Sequence, residues 1–314
     1  MRRCASSIKP SFLSNTMQHL LSIEDLDAAT IEHLLADATR LKAQRGSHEK
    51  ALAGQTWAMI FTKSSTRTRV SFEVGIRELG GFPMFLSKND IQLGRGEPIQ
   101  DTARVLGRMV HGIVIRTFDQ KDVVDFAELS GIPVINALTD EEHPCQILAD
   151  LLTVQEFLGG WTGKKIAFIG DGFSNMTVSW MWAAKHLGFA LAVACPADYA
   201  PSAAFLEKLN APNVTITHDP VVAAQDAHVI NTDVWLSMGQ EDQKEKELAF
   251  GPFQVNAALL AHSAPGHIVL HCLPAYRGKE ITEEVLEHHA SVIFQQAENR
   301  LHAQKAVLVA IAQK

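Results

Sequence analysis

From Thr56 onward the chain repeats one unit: a short, continuously apolar run, then a stretch with helical periodicity, then another apolar run. Thr56–Phe61, Phe82–Leu86, Gly112–Phe118 and Pro133–Leu138 are such runs, and they lack the strict in-out alternation of a sheet with one wet face. A strand apolar on both sides must be covered on both sides, which in practice means a parallel sheet between helices. The intervening stretches read as helices at about Arg67–Leu79, Pro98–Val110 and Asp122–Ser130, with Gly80-Gly81 and Gly131 as stops. Upstream, Ser22 is placed to cap a helix whose apolar positions Leu26, Ile31, Leu34, Leu35, Ala38 and Leu41 recur at helical spacing, ended by Gly46.

A long helix at about Pro144–Leu158 follows, and Gly159-Gly160 and Gly163 then break the chain. The alternation restarts with strands at Lys165–Ile169, Ala190–Cys195, Val214–Thr217, His228–Asn231, His267–His271 and Val292–Gln295. Helices fit at Asn175–Leu187, Gln254–His262, Thr282–His289 and Asn299–Ala312. At ~150 residues per domain, a chain of 314 residues suggests two domains. The expected fold class is therefore α/β, with two doubly wound parallel-sheet domains joined by long helices. The expected division is 17–150, 151–298 and a C-terminal helix at 299–314 that packs back on the first domain. Ser87–Glu97 and Ser237–Phe250, the latter carrying the run EDQKEKE, break the rhythm and read as long loops. A charged run is commonly no more than a solvated surface.

Composition narrows the function classes. Lys and Arg number 28 against 35 Asp and Glu, a net charge of −7. Phosphate-backbone binding needs the opposite balance, so nucleic acid is not an expected partner. No apolar stretch approaches the ~18 residues of a spanning helix, so no membrane partner is expected either. Cys4, Cys145, Cys195 and Cys272 are scattered with no CxxC pair, so neither a disulfide scaffold nor a structural metal site is indicated. Free thiols fit a reducing compartment, and the expected location is cytoplasmic. Residues 1–16 carry Arg2, Arg3 and Lys9 with no acid. They read as a disordered tail, or as sequence upstream of a start at Met17; a targeting segment for an organelle matrix is the alternative.

Chemistry-bearing residues gather just past the strands. Lys63–Arg69 reads KSSTRTR between a strand and a helix. A helix start offers unpaired N–H groups and a positive dipole end. Ser65, Thr66 and Thr68 add hydroxyls, and Arg67 adds a planar fork matched to phosphate oxygens. The plain alternative is an N-cap followed by solvated arginines. Arg116 ends another apolar run, where a buried guanidinium needs an anion. Asp140–Gln146 reads DEEHPCQ, offering His143 and Gln146 to a carbonyl or amide; Pro144 alone would mark an ordinary helix start. Ile169–Met176 reads IGDGFSNM and begins like a dinucleotide fingerprint. Asn175 stands where the third glycine belongs, and the strand ending near Cys195 carries no acid for a ribose. Thr232–Gly239 reads TDVWLSMG, and His271–Gly278 reads HCLPAYRG. Asp233 can hold an ammonium group, Ser237 a polar one, and Cys272 supplies a thiol, although a free cysteine is more often a small buried hydrophobe.

Together, STRTR at Ser65–Arg69, HPCQ at His143–Gln146, DxxxSMG at Asp233–Gly239 and HCLP at His271–Pro274 stand in the chain order of the carbamoyltransferases. DTARVL at Asp101–Leu106 and AENR at Ala297–Arg300 fit the same pattern. The resemblance runs from about Met17 to the C-terminus. SMG and HCLP resemble the ornithine carbamoyltransferase branch rather than the aspartate- or acetylornithine-using ones. Cys145 departs from the threonine more usual in the family.

The resemblance implies transfer of a carbamoyl group from carbamoyl phosphate to L-ornithine, giving L-citrulline and phosphate, with no metal or organic cofactor. It implies that residues 17–150 bind carbamoyl phosphate and 151–298 bind ornithine. It assigns phosphate to Ser65, Thr66, Arg67 and Thr68, phosphate and carbonyl oxygen to Arg116, and carbonyl oxygen to His143. Gln146 and the Leu273 carbonyl would hold the carbamoyl amide, with Arg300 completing the pocket. Asn175, Asp233, Ser237 and Met238 would bind ornithine, with Asp233 and Cys272 beside its reacting amine. It also implies a homo-oligomer, a trimer or a multiple of trimers, in which Gln92 reaches a neighbour's site. A dinucleotide-dependent dehydrogenase or a non-catalytic relative are the competing classes; the fingerprint fails for the first, and intact motifs argue against the second.

Overall fold

The computed structural model describes residues 17–87, 96–236 and 244–312. Two parallel sheets organise it. The first half runs α1 (Ala28–Ala43), β1 (Thr56–Phe61), α2 (Thr66–Glu78), β2 (Phe82–Ser87), α3 (Ile99–Leu106), β3 (Gly112–Arg116), α4 (Gln120–Ser130), β4 (Val134–Leu138) and α5 (Pro144–Leu158). Its strands pair in the order β2-β1-β3-β4. The second half opens with β5 (Lys165–Ile169), α6 (Asn175–Leu187), β6 (Ala190–Ala194), α7 (Ala203–Leu209), β7 (Val214–Thr217), α8 (Pro220–Ala224) and β8 (Val229–Thr232). It closes with α9 (Lys244–Phe250), α10 (Ala257–Leu260), β9 (Ile268–His271), α11 (Glu283–His288) and α12 (Ala290–Ala312). The order there is β7-β6-β5-β8-β9.

The strands are covered on both faces, as their unbroken apolarity requires. Ala58, Ile60, Ile113 and Ile115 meet Ala103 of α3 and Val123 and Phe126 of α4. Ala167, Ile169, Ile230 and Val269 meet Ala223 and Ala224 of α8 and Val285 of α11. The opposite faces of both sheets, through residues such as Met59, Val114, Phe168 and Leu270, share one core with α5 and α12. The last helix lies against α5, α1, α2 and β9, so it touches both halves of the molecule. Lys305 ties it to α2 from a fully buried position, 2.8 Å from Glu78. Breaking such a pair by removing one partner commonly costs ~3–5 kcal/mol.

Several sequence expectations need correction. Val292–Gln295 is not a strand; it is the first turn of α12, which begins at Ala290 rather than Asn299. A short apolar run cannot be told from a buried helical segment by periodicity, and here Val292 and Ile293 are core while Phe294 is exposed. The second half of the expected loop Ser237–Phe250 is helix α9. Its charged run hides a buried face, since Lys246 and Phe250, one turn apart, both point inward. The first helix is capped by Asp27, which accepts from Thr30 N, whereas Ser22 donates to Glu142. The helix expected over Gln254–His262 is only Ala257–Leu260, capped by Asn256 and preceded by a 3₁₀ turn at Gly251–Phe253. Residues 1–16, residues 88–95 of the first expected long loop and residues 237–243 of the second lie outside the described residues.

Strand order positions the site. In open α/β sheets, ligands bind past the carboxyl ends where the winding reverses. In the first sheet the reversal lies between β1 and β3, above which stand the KSSTRTR turn and Arg116. In the second it lies between β5 and β8, above which stand the IGDG turn and Asp233.

Candidate active site

Both reversal points open into one cleft of about 930 Å³. It is lined by Ser65, Thr66, Arg67, Thr68, Arg116 and His143 from the first half, and by Asn175, Asp233, Cys272, Leu273 and Arg300 from the second. Eleven of the residues singled out in the sequence are therefore brought together. Gln146 is not on the wall. It is fully buried behind Arg300, whose Nη1 donates to Gln146 Oε1 at 2.9 Å. Gln92, Ser237 and Met238 lie outside the described residues.

One end of the cleft is built to hold an anion. Ser65 caps α2 by accepting from Thr68 N at 3.2 Å, which aims the helix N-terminus into the cleft. Arg300 also donates to Thr68 Oγ1, linking the last helix to this turn. The Nε groups of Arg67, Arg116 and Arg300 are buried with no hydrogen-bond partner among the described residues. Burial, followed by the nearby Arg300 and Arg67, pushes Arg116 down to about 10. The side chains nonetheless remain cations at neutral pH, and an anion between them relieves both the repulsion and the unpaired donors.

His143 sits beside this cluster. Burial first, and then Arg300 and Arg116, hold its imidazole well below the usual histidine range, so it is neutral at pH 7. Its backbone N–H donates to Ser179 Oγ, and Ser179 in turn donates to the buried Glu142. Glu142 also accepts from Ser22, and burial pushes it up to about 7. A helix of the second half thus anchors the His143 turn. Cys145 faces away from the cleft, fully buried, and donates to the Asn136 carbonyl.

The second half of the chain adds an acid and a thiol to the cleft. Cys272 donates to Asp233 Oδ1 at 3.0 Å. Burial pushes the thiol well up, and the neighbouring Asp233 carboxylate adds to this. Burial also raises Asp233, opposed by His271 and by the Cys272 hydrogen bond. His271 Nδ1 accepts from Leu273 N at 2.9 Å, which leaves Nε2 to donate to Glu280 at 3.0 Å. Glu280 also accepts from Tyr276 N, so the HCLP turn is held at both ends with Leu273 at a left-handed φ of 58°. Asp233, His271 and Cys272 offer ligand atoms within 4.8 Å of one another, a spacing that a metal could use. Both ring nitrogens of His271 are already committed, to Leu273 N and Glu280, and Cys272 and Asp233 bond to each other.

Asn175 opens α6 and donates to the Thr139 carbonyl at 2.6 Å, bridging the two sheet ends. The IGDG turn has a packing cause. A Cβ at Gly172 would stand 2.4 Å from Cys195 Sγ. Asp171 pairs with Lys246 of α9 at 2.8 Å instead of facing a nucleotide. Sequence reasoning assigned no role to Lys63, which is buried in the cleft against Asp140 and the Phe118 ring. It also missed Asp150, Gln296 and Glu142, which lie outside the cleft and bond to the residues that back it: Gln146, His271 N and Ser179.

Residues 18–156 match the family model described as aspartate/ornithine carbamoyltransferase, carbamoyl-P binding domain. Residues 162–311 match the corresponding Asp/Orn binding domain. An ornithine carbamoyltransferase of Akkermansia muciniphila is 66% identical over 300 residues, covering 94% of this chain and 98% of that protein. One from Pelobacter propionicus is 51% identical over 94% of this chain and 98% of its own length. The ornithine carbamoyltransferase structure from Pyrococcus furiosus superposes with a TM-score of 0.89 at 46% identity, covering 94% of this chain and 96% of that one. With both halves matched in order and the cleft between them, the chain belongs to the aspartate/ornithine carbamoyltransferase family.

Proposed function

We propose that the chain is an ornithine carbamoyltransferase, making L-citrulline and phosphate from carbamoyl phosphate and L-ornithine in arginine metabolism. The observation that carries this reading is the cleft itself: three guanidinium groups and a helix N-terminus face an Asp233–Cys272 pair across it. Carbamoyl phosphate fits the first end. Ser65, Thr66, Arg67 and Thr68 hold the phosphate, and Arg116 spans phosphate and carbonyl oxygen. Neutral His143 donates to the carbonyl oxygen, the Leu273 carbonyl takes a carbamoyl N–H, and Arg300 closes the pocket. Gln146 Oε1 accepts from Arg300 behind the wall, so it supports the carbamoyl pocket through Arg300 rather than lining it.

The neutral side-chain amine attacks the carbonyl carbon. A C–N bond forms, the C–O bond to phosphate breaks, and one amine proton leaves. Negative charge grows on the carbonyl oxygen and then on the departing phosphate, where the fixed cations and donors already stand. Alignment of the two substrates supplies much of the rest. Asp233 at the amine end favours a cationic side chain; aspartate, with its second carboxylate, would be repelled there. Asn175 completes the ornithine side, together with Ser237 and Met238.

The proposed division follows the two sheets: residues 17–150 for carbamoyl phosphate, 151–298 for ornithine, and the terminal segment 299–314 against the first. The proposed assembly is a homotrimer, or a multiple of trimers, in which Gln92 serves a neighbouring site. Gln92 follows β2, an edge strand whose Phe82 and Met84 are 61% and 45% exposed. Unpaired edges with apolar side chains are surfaces that proteins normally cover. Cys145, Cys195 and Cys272 are free thiols, which suits the cytoplasm. Among the described residues no helix is long and apolar enough to cross a membrane. The deciding experiment is a carbamoylation assay with L-ornithine, L-aspartate, N-acetylornithine and L-lysine. Citrulline from ornithine, with the other amines at background, is the expected outcome; no citrulline would end the reading.

A further inference from the structure

A continuous polar chain runs from the cleft wall at Thr68 and Arg300 to two fully buried side chains, Asp150 and Gln296, that hold no substrate. Arg300 donates to Thr68 and to Gln146 Oε1; Gln146 Nε2 donates to Asp150 Oδ1 at 2.7 Å. Gln296 Nε2 donates to the same Oδ1 at 2.6 Å, and Gln296 Oε1 accepts from His271 N at 2.9 Å. Asp150, Gln146 and Gln296 are all fully buried. The chain therefore crosses from the turn at the start of α2 to the end of β9, where the HCLP turn begins.

We infer that Asp150 is a positioning residue for carbamoyl transfer: its Oδ1 orients the Gln146 and Gln296 amides so that their oxygens face Arg300 and the backbone beneath Cys272. An amide has one accepting and one donating end, and turning it over exchanges them. With Nε2 held on a carboxylate oxygen, Gln146 must present Oε1 to Arg300, and Gln296 must present Oε1 to His271 N. Removing the acceptor leaves two buried N–H groups unpaired and frees both side chains to shift. Displacements of this kind act on rate through alignment, and ~1 Å can cost ~10²-fold. The property required is the acceptor, not the charge. Burial pushes Asp150 up to about 7, and with any proton carried on Oδ2, Oδ1 accepts in either state. Oδ2 has no partner among the described residues.

The inference rests on the proposed activity, and citrulline formation by the parent chain tests that activity separately. Three variants then test Asp150. Asp150→Ala deletes the acceptor and should lower kcat/KM for carbamoyl phosphate by about 10²-fold, with the KM for ornithine within about threefold. Asp150→Asn keeps Oδ1 but buries an orphan NH₂, so its Tm should fall by several degrees while kcat stays within about threefold of the parent. Thr153→Val, one turn along α5 and bonded to Asn299 away from the cleft, controls for destabilisation alone and should leave kinetics unchanged. A folded Asp150→Ala protein with parental kinetics would overturn the inference. So would kinetic losses that track Tm across the three variants. If Asp150→Ala does not fold, Asp150→Asn still decides: a folded Asn protein that has lost about 10²-fold refutes the acceptor role, and one with parental kcat supports it.

Discussion

Cys272 Sγ lies 3.0 Å from Asp233 Oδ1 and is its hydrogen-bond donor. That geometry fixes the protonation of the pair. A thiol whose pKa is raised by burial and by the adjacent carboxylate stays protonated, and in this form it donates to Asp233. Asp233 is left as the acceptor that an incoming ammonium group meets. Across the cleft, the Nε groups of Arg67, Arg116 and Arg300 are buried without a partner among the described residues, a setting suited to the opposite charge. One end of the cleft thus suits a cation and the other an anion, as transfer of a carbamoyl group from an anionic phosphate donor to an amine requires.

Arg67→Lys tests the anion end. Lysine keeps the charge but loses the planar fork. Losing one main stabiliser of developing charge typically costs ~10²–10³ in rate. The expected result is a drop of that size in kcat/KM for carbamoyl phosphate with an unchanged Tm. Near-parental kinetics would mean that the arginine acts only as a diffuse charge.

Assembly is tested at the edge strand β2. Phe82 and Met84 are exposed in the single chain, so the double change Phe82→Glu and Met84→Glu should spare the fold and destroy a self-association surface. Light scattering should show the parent as a trimer or a multiple of trimers, and the variant as smaller species with little activity. A fully active monomeric parent would remove both this surface and the proposed role of Gln92.

Glu142 gives a stability prediction with a definite sign. Its native pKa is raised to about 7, above the ~4.3 of a solvated glutamate. Between those values the native state holds a proton that the unfolded state has lost, so this group makes stability fall as pH rises from about 4 to 7, and the fall levels off above. Glu142→Gln removes the titration; its single amide oxygen accepts from one of Ser22 and Ser179, and its NH₂ donates to the other hydroxyl. The variant's Tm should change less than the parent's between pH 5 and 8, and should exceed it at pH 8 by several degrees. Parallel melting curves across that range would show that Glu142 does not titrate there.

The parts of this site visible in the sequence are those that follow a strand directly. Ser65–Arg69, His143 and Asp233 stand past strand ends and Arg116 is the last residue of β3, and apolar strands are legible from pattern alone. The parts that were not visible are long-range partners. Gln296 meets Asp150 across 146 positions, and Arg300 meets Gln146 across 154, with no local signal to announce either contact. Helix α9 was hidden because its inward residues include Lys246, whose charge disguised a buried position as a solvated one. Val292–Gln295 misled in the opposite way, since a buried helical turn can be as apolar as a strand.

The proton of the attacking amine gives the last test. A side-chain amine with a pKa near ~10.4 is about 99.9% protonated at pH 7.4, and only the neutral form attacks. A carboxylate beside it favours the ammonium form, which on its own opposes catalysis. The two requirements are compatible if Asp233 captures and orients the ammonium group, and the proton then leaves before or during attack with Asp233 as acceptor, since the Cys272 thiol keeps its own proton. Activity at limiting ornithine should therefore rise with pH through the neutral range, as the neutral amine fraction grows tenfold per unit. Burial raises Asp233 above its ordinary range, so its own protonation adds to the loss on the acid side. Asp233→Asn removes that charge and its acid-side contribution, but not the slope set by the amine. Truncating one partner of a buried charged pair commonly costs ~2–5 kcal/mol, so kcat/KM for ornithine should fall by about 10²-fold or more. Carbamoyl phosphate binding, at the far end of the cleft, should remain close to the parent's. The measurement is kcat/KM for ornithine from pH 6 to 9 in both proteins, with carbamoyl phosphate binding measured separately. A flat parent profile would refute the proton account, and an Asn variant with unchanged ornithine kinetics would reduce Asp233 to a structural partner of Cys272.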